Sequence, residues 1–124
     1  MRIEVSIGEV VDKHTILCIK MLNIDDHDKL ANVNKERKYL QRKLEENPEI
    51  LHDGLYKDLL DINKELWRVE DEIRECEREK IFDAKFISLA RMVYMLNDKR
   101  AQVKRDINVK YGSNFIEEKS YKPY

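Results

Sequence analysis

The sequence predicts an all-α protein, an elongated antiparallel helical bundle of about four helices. Three observations support this fold class. The 124-residue chain has only 3 Gly and 2 Pro but 40% charged residues, a composition typical of long helices. Apolar residues recur at steps of three and four, the period of one helix face. Turn signals then separate four helical segments within a single domain, residues 1–124.

The first helix is predicted over residues 7–22. Ser6 is followed three residues later by Glu9, the spacing of a capping box, in which two side chains satisfy backbone N–H groups at a helix start. The second half of this helix is apolar nearly all round. Such a helix usually lies between neighbouring helices or at an interface between subunits.

Three further helices follow. Helix 2 is predicted over residues 28–46 and ends before Pro48, which disfavours helix at the preceding residue. Helix 3, over residues 55–80, carries an uninterrupted heptad seam. The seam consists of Leu59, Ile62, Leu66, Val69, Ile73 and Cys76. Helix 4, over residues 84–111, follows after a short turn, so helices 3 and 4 should form an antiparallel hairpin.

The two ends of the chain are less regular. Residues 2–6, RIEVS, alternate as in a strand, and residues 114–118, NFIEE, are the other candidate. A minor two-stranded pairing of the termini is therefore a further option. Residues 113–124 form a tail whose apolar and aromatic side chains can dock on the bundle. The sequence leaves open whether the tail docks on its own chain or on a neighbour.

Composition argues against several classes of partner. The chain has 24 basic and 25 acidic residues and a net charge of −1, so it has no global electrostatic footprint for nucleic acid or an anionic membrane. Its apolar runs fall far below the ~20 residues that span a bilayer. Charges also interrupt the N-terminal segment where a signal peptide needs an apolar stretch. A cytoplasmic protein is expected.

No pattern of residues indicates a catalytic centre. Cys18 and Cys76 fall on apolar helical stripes and are expected to be reduced, packed side chains. Glu72 and Glu75 share one helix face, but a magnesium site needs further acids from another helix. A chain with 3 Gly has no glycine-rich phosphate loop. We therefore expect no catalytic residue, no metal and no cofactor.

Polar side chains within the apolar stripes form the candidate site. They are Asp12, Lys13, His14, Arg37, Asn97, Arg100 and Lys104. A buried charge without a partner is costly, so these groups should meet each other, water or a ligand. In a hairpin that turns near residue 82, Arg100 lies level with Asn63 and about two turns from Glu70. Arg100 is therefore expected to turn toward Asp12 and His14.

Different interpretations of these residues are open. In one, Asn97 and Arg100 fix the helix register through hydrogen bonds, as single polar core residues do in coiled coils. In another, Arg37, Arg100, Lys104 and His14 line an anion-binding cleft inside the bundle. In a third, the stripes simply reach solvent and the long side chains extend into water.

Charge is unevenly divided between the two long helices. Residues 57–80 carry nine acids and six bases, whereas residues 91–110 carry two acids and six bases. Complementary pairing across the hairpin is the simpler explanation. A basic face for phosphate or nucleic acid is the alternative, and no interleaved aromatic residues support RNA binding there.

Four stretches carry a recognisable pattern: IEVSIGEVVDKHTILCIK, FDAKFISLARMVYMLNDKR, KRDIN and the ending EEKSY. They resemble an uncharacterised family of small helical bacterial and phage proteins with an SIGE-x-VDK opening. The resemblance implies no activity, but it places five residues in recurring motifs: Asp12, Lys13, Asn97, Asp98 and Arg100. His14 stands where the family is expected to have a hydrophobic residue, which favours a packing role for His14.

A fainter likeness is to the all-helical chorismate mutases, dimers of long helices that bind a dicarboxylate with basic residues inside the bundle. This likeness implies such roles for Arg37 and Arg100. The leading hypothesis remains a non-enzymatic homodimer that acts through macromolecular interaction with an unknown protein partner. The alternative is a small enzyme or ligand-binding protein that holds an anionic ligand within the bundle.

Overall fold

The structure, a computed structural model, describes all 124 residues and contains four α-helices. They are α1 (Ile7–Asn23), α2 (His27–Leu44), α3 (Gly54–Glu79) and α4 (Ala84–Lys110), with a 3₁₀ turn at Pro48–Ile50. Each helix end lies within two residues of the position expected from the sequence. The predicted all-α fold is confirmed.

Side-chain caps begin all four helices. Asp26, Asp53 and Asp83 accept hydrogen bonds from backbone N–H groups in the first turns of α2, α3 and α4. Ser6 accepts a bond from the Glu9 N–H at 3.2 Å. Only this half of the predicted capping box forms, because the Glu9 carboxylate accepts a bond from Lys104 instead. The acid that resembled a local cap therefore serves a tertiary contact.

The bundle is organised around α1, which packs against each of the other three helices. The larger core cluster draws one residue from every element: Val11, Leu44, Ile50, Leu59 and Ile107. The second cluster consists of Val69, Cys76 and Leu89. Because these three belong to α3 and α4 alone, one end of the α3–α4 hairpin is only two helices thick.

The molecule exposes more surface than a compact chain of its mass. Its accessible surface is 8849 Å², whereas a folded monomer of 14.9 kDa is expected to expose about 7,000 Å². The excess surface of about 1,800 Å² is what a long bundle with a narrow core produces.

No helix carries an apolar stretch long enough to cross a membrane.

The terminal segments contain no strand, so the predicted two-stranded pairing of the termini is wrong. The two ends do meet, but through side chains. Ser113 accepts a bond from the Ile7 N–H at 3.1 Å, and Asn114 donates to Glu4 at 2.7 Å. The Ser113 hydroxyl satisfies a free amide at the start of α1, and the tail then turns along α4 instead of pairing with residues 2–6.

Charges on α3 pair within α3 itself. Arg68 bonds to Glu65 and Glu72, and Arg74 bonds to Glu70. The one ion pair across the hairpin, Lys110 to Asp53 at 2.6 Å, joins the last residue of α4 to the N-cap of α3. None joins residues within the two helices, so the predicted pairing along the hairpin is wrong. Residues three or four apart on one helix are immediate neighbours, and they satisfy each other first. In the second half of α4, Arg100 turns to α1, Arg105 to the tail, and Lys104 to both.

Candidate functional site

A buried polar network joins three helices. Asp12 on α1 is almost fully buried and receives two hydrogen bonds from the Arg100 guanidinium on α4, Nε to Oδ1 at 2.9 Å and Nη2 to Oδ2 at 2.5 Å. Asn63 on α3 donates a third bond to Asp12 Oδ1 at 2.9 Å. These bonds raise the pKa of Arg100, chiefly through Asp12. The carboxylate therefore ties α1 to both members of the hairpin.

Neighbouring side chains complete the network. Asn63 Nδ2 also donates to Thr15 Oγ1 at 2.8 Å, and Thr15 donates to the Asp12 carbonyl at 2.7 Å. Asn97 accepts a bond from Arg100 at 3.3 Å and donates to the Val93 carbonyl. No buried side-chain nitrogen or oxygen lacks a partner. A closed network of this kind is suited to fixing helix positions.

Lys104 lies on α4 one turn beyond Arg100 and contacts the start of α1. Its ammonium donates to Glu9 at 2.7 Å and lies 3.4 Å from Glu117 in the tail. Burial alone would lower the pKa of Lys104, but the bond to Glu9 and the surrounding carboxylates raise it overall. Lys104 is thus charged and held between a helix and the tail.

The start of α1 lies directly against the α4 backbone. The Gly8 N–H donates to Asn108 Oδ1 at 2.6 Å. A Cβ atom at position 8 would come within 2.5 Å of the Lys104 carbonyl oxygen, closer than real Cβ atoms approach. Glycine is therefore required here by the close approach of two helices.

His14 occupies a separate position, in the space between α1, α2 and α3. Its Nδ1 lies 2.8 Å from the Tyr56 hydroxyl, and its Nε2 lies 4.0 Å from Cys18 Sγ. Burial lowers the pKa of His14, and the charge of Arg37 lowers it further, while Gln41 acts in the opposite direction. Burial also raises the pKa of Tyr56. His14 is a neutral, packed side chain at pH 7.

The candidate residues thus fall into four places. Asp12, Asn97 and Arg100 lie together, with Lys104 beside them. His14 lies elsewhere, and Arg37 bonds to Asn34 on its own helix at 2.9 Å. Lys13 is exposed and forms an ion pair with Glu36 at 3.1 Å. The four basic groups expected to line one anion cleft are not gathered around a common space.

Sequence reasoning missed three partners of these residues: Asn63, Asn108 and Tyr56. The sequence did indicate Asn63 as a partner, because the predicted register of the hairpin places Asn63 level with Arg100. It gave no such indication for Asn108 and Tyr56, since their roles depend on how closely α1 approaches α4 and α3.

A second feature is an open groove of about 840 Å³ between α4 and the tail, residues 113–124. We call it the tail groove. The tail is held along it by Arg105 to Glu118 at 2.7 Å and by the Tyr124 hydroxyl, which donates to Asp98 at 2.5 Å. The rings of Tyr94 and Tyr124 meet edge to face, with centroids 5.3 Å apart.

No group of three His, Cys, Asp or Glu residues is placed to hold a metal ion.

Comparison with protein families gives one result. The model of a family of unknown function, DUF6165, matches residues 1–124. The chain belongs to this family. Membership of DUF6165 assigns no activity to the polar network or to the tail groove. No curated protein and no solved structure matches the chain.

Proposed function

We propose that this chain acts as a non-enzymatic homodimer that works by binding another macromolecule. The observation that carries the proposal is the end of the α3–α4 hairpin, where Ile81, Phe82 and Ile87 are exposed. The rings of Phe82 and Phe86 meet edge to face, with centroids 5.1 Å apart, so Phe86 adds to the apolar surface at this end. We call this surface, residues 81–87, the hairpin end.

The hairpin end extends past the other helices. α1 begins beside Asn108 and has 17 residues, about 25 Å, whereas α4 has 27 residues, about 40 Å. Counted from the contact between Gly8 and Asn108, α1 continues for about 23 Å and α4 for about 36 Å, so the hairpin extends about 13 Å beyond α1. The second core cluster in this region has no residue from α1 or α2. A second copy would supply the helices that this part of the bundle lacks.

Charge and surface area favour a second copy as the occupant. Near the hairpin end, Arg78 pairs with Glu75 and Lys80 with Glu77 on the same helix. An identical surface therefore meets little net charge when it approaches about a two-fold axis. The excess exposed surface of about 1,800 Å² also exceeds the ~800 Å² per partner of a standard interface.

The test is sedimentation of the wild type and two matched variants across micromolar concentrations. Ile87 and Val109 lie on α4 and are 57% and 63% exposed, so glutamate at either position leaves the fold of one chain unchanged. We expect the wild type and Val109→Glu to be dimeric and Ile87→Glu to be monomeric. A monomeric wild type would refute the dimer, and two variants that behave alike would refute the hairpin end as its interface.

The alternative function, an anionic ligand inside the bundle, gains no support from its basic residues. The Arg100 guanidinium is paired with the buried Asp12 carboxylate. A ligand inside the bundle would have to displace this carboxylate and leave it buried without a counter-charge. We therefore retain only the interaction role.

We further propose a cytoplasmic location in bacterial cells, whether the gene belongs to the bacterium or to an infecting phage. The free cysteines Cys18 and Cys76 fit a reducing compartment. The bacterial or phage origin depends on the resemblance of the opening and closing motifs. Fractionation of the native host, with antibody detection, tests the location, and recovery in a membrane or secreted fraction would contradict it.

A further inference from the structure

We infer that α4 carries a docking site for an acidic, tyrosine-containing peptide of a partner protein, and that the chain's own tail occupies this site in the isolated molecule. The inference deepens the proposed interaction role and rests on it. The binding surface is the α4 side of the tail groove, and the chemistry of the bound peptide follows from the contacts of the tail.

The tail shows which groups the groove accepts. Two adjacent acids, Glu117 and Glu118, lie against two adjacent bases, Lys104 and Arg105. Six residues after Glu118, the tail ends in Tyr124, whose ring meets the ring of Tyr94 and whose hydroxyl is bound by Asp98. A partner segment with two acids and a following tyrosine at this spacing matches the same groups. A peptide that binds α4 here therefore needs acidic side chains for the two bases and an aromatic side chain for the Tyr94 ring.

One of the bases is preset for this role. The Lys104 side chain is only 13% exposed, and its ammonium is held by Glu9 at 2.7 Å and lies 3.4 Å from Glu117 of the tail. The ammonium is therefore already in place beside the tail and does not have to be ordered by the ligand. A preorganised group loses less conformational entropy when a peptide binds.

The tail is attached weakly enough to be displaced. Residues 114–124 are all exposed, and none of them belongs to a core cluster. Both partners of the Arg105–Glu118 pair reach solvent, where such pairs add little. The tail also packs loosely on α4, with about 840 Å³ of open space between them. A peptide that packs more closely on α4 makes contacts that the tail lacks.

The test uses the full chain and a synthetic peptide of residues 113–124. A released variant carries Glu117→Lys, Glu118→Lys and Tyr124→Ala, which lie outside all four helices. All proteins used in the peptide titrations also carry Ile87→Glu, so their result does not depend on the proposed dimer. Binding is followed by NMR shifts of the α4 amides. We expect the released variant to bind the peptide at least tenfold more tightly than the unreleased chain, because the attached tail competes at high effective concentration.

A charge swap makes the test specific. Adding Arg105→Glu to the released variant should weaken peptide binding severalfold, because it turns an attraction into a repulsion, and a peptide carrying Glu118→Lys should restore it. The inference is overturned if the released variant shows no α4 shifts at millimolar peptide, or if Arg105→Glu has no effect. It is also overturned, in favour of tail exchange between copies, if releasing the tail with Ile87 intact dissolves a dimer.

Discussion

Arg100 and Asp12, 88 residues apart in the chain, form an ion pair with two hydrogen bonds at the centre of the bundle. The carboxylate is buried on α1 and the guanidinium reaches it from α4. Because Asn63 supplies a third bond, α1, α3 and α4 are fixed relative to one another at one point. Such a closed arrangement is suited to holding the helices in register, the simpler of the roles considered for these residues.

Removing the guanidinium should be strongly destabilising. Arg100→Ala leaves the buried Asp12 carboxylate without its counter-charge, and we expect a loss of about 3–5 kcal/mol in the free energy of unfolding. Arg91→Ala is the control, because Arg91 lies on the same helix, is exposed and has no ion pair. Its effect should be within about 0.5 kcal/mol. Urea unfolding at pH 7 measures both, and comparable losses would show that the pair is unimportant.

Two glycines should respond to alanine in opposite ways. Gly8→Ala forces a Cβ against the Lys104 carbonyl and should cost about 1–3 kcal/mol. At Gly54, the first residue of α3, nothing lies within 4 Å of a Cβ, so Gly54→Ala should be neutral or stabilising by up to about 1 kcal/mol. Thermal unfolding of the two variants tests the comparison. A Gly8→Ala protein as stable as Gly54→Ala would contradict the close approach of α1 and α4.

Stability should fall as His14 becomes protonated. The pKa of His14 is lowered from 6.5 in the folded protein, chiefly by burial, so the unfolded chain binds the proton more readily. The free energy of unfolding should therefore decrease as pH falls below about 6.5 and level off below the folded pKa. His14→Leu should remove this part of the pH dependence. Urea unfolding between pH 5 and 8 distinguishes the two, since His27 and His52 remain in both proteins.

The cap of α3 should matter more than the cap of α2. Bonds from Lys110 and Tyr111 lower the pKa of Asp53 to about 2, whereas Asp26 makes only its cap contact. We expect Asp53→Ala to cost about 2 kcal/mol and Asp26→Ala about 1 kcal/mol.

The extra contribution of Asp53 should be present above its ordinary value of 3.8 and lost as pH falls toward 2. Equal losses for Asp53→Ala and Asp26→Ala at pH 7 would contradict the role of Lys110 and Tyr111. Acid titration of unfolding in the wild type and in Asp53→Ala measures the pH dependence.

Local signals in the sequence were sufficient for the helices. Aspartates at three helix starts, Pro48 after α2 and the heptad seam of α3 are short-range features, and short-range hydrogen bonds decide where helices begin and end. The Arg100–Asp12 contact could be expected as well. It follows from one long-range assumption, the hairpin turn near residue 82, together with the cost of burying a charge.

The remaining contacts depend on helix placement that the sequence does not specify. Glu9 fits a local capping box, but α4 brings Lys104 closer to it. The acids of α3 suggested pairing with α4, yet partners on their own helix are nearer. In the sequence, His14 and Arg37 lie on apolar stripes, as Arg100 does. In the structure, they lie where α1 meets α2, away from the pair formed by Arg100 and Asp12. The helical period of the apolar residues predicts which side chains face the core, but it does not predict which neighbouring helix they contact.

The placement of α1 against α4 has a consequence for folding. Gly8 at the start of α1 is bonded to Asn108 near the end of α4, 100 residues away. α1 can pack on α2, its neighbour in the sequence, at little cost in chain entropy, whereas its contact with α4 closes a long loop. Contacts of such large sequence separation slow folding, so we expect the junction of α1 with α4 to limit the rate at which the core is completed.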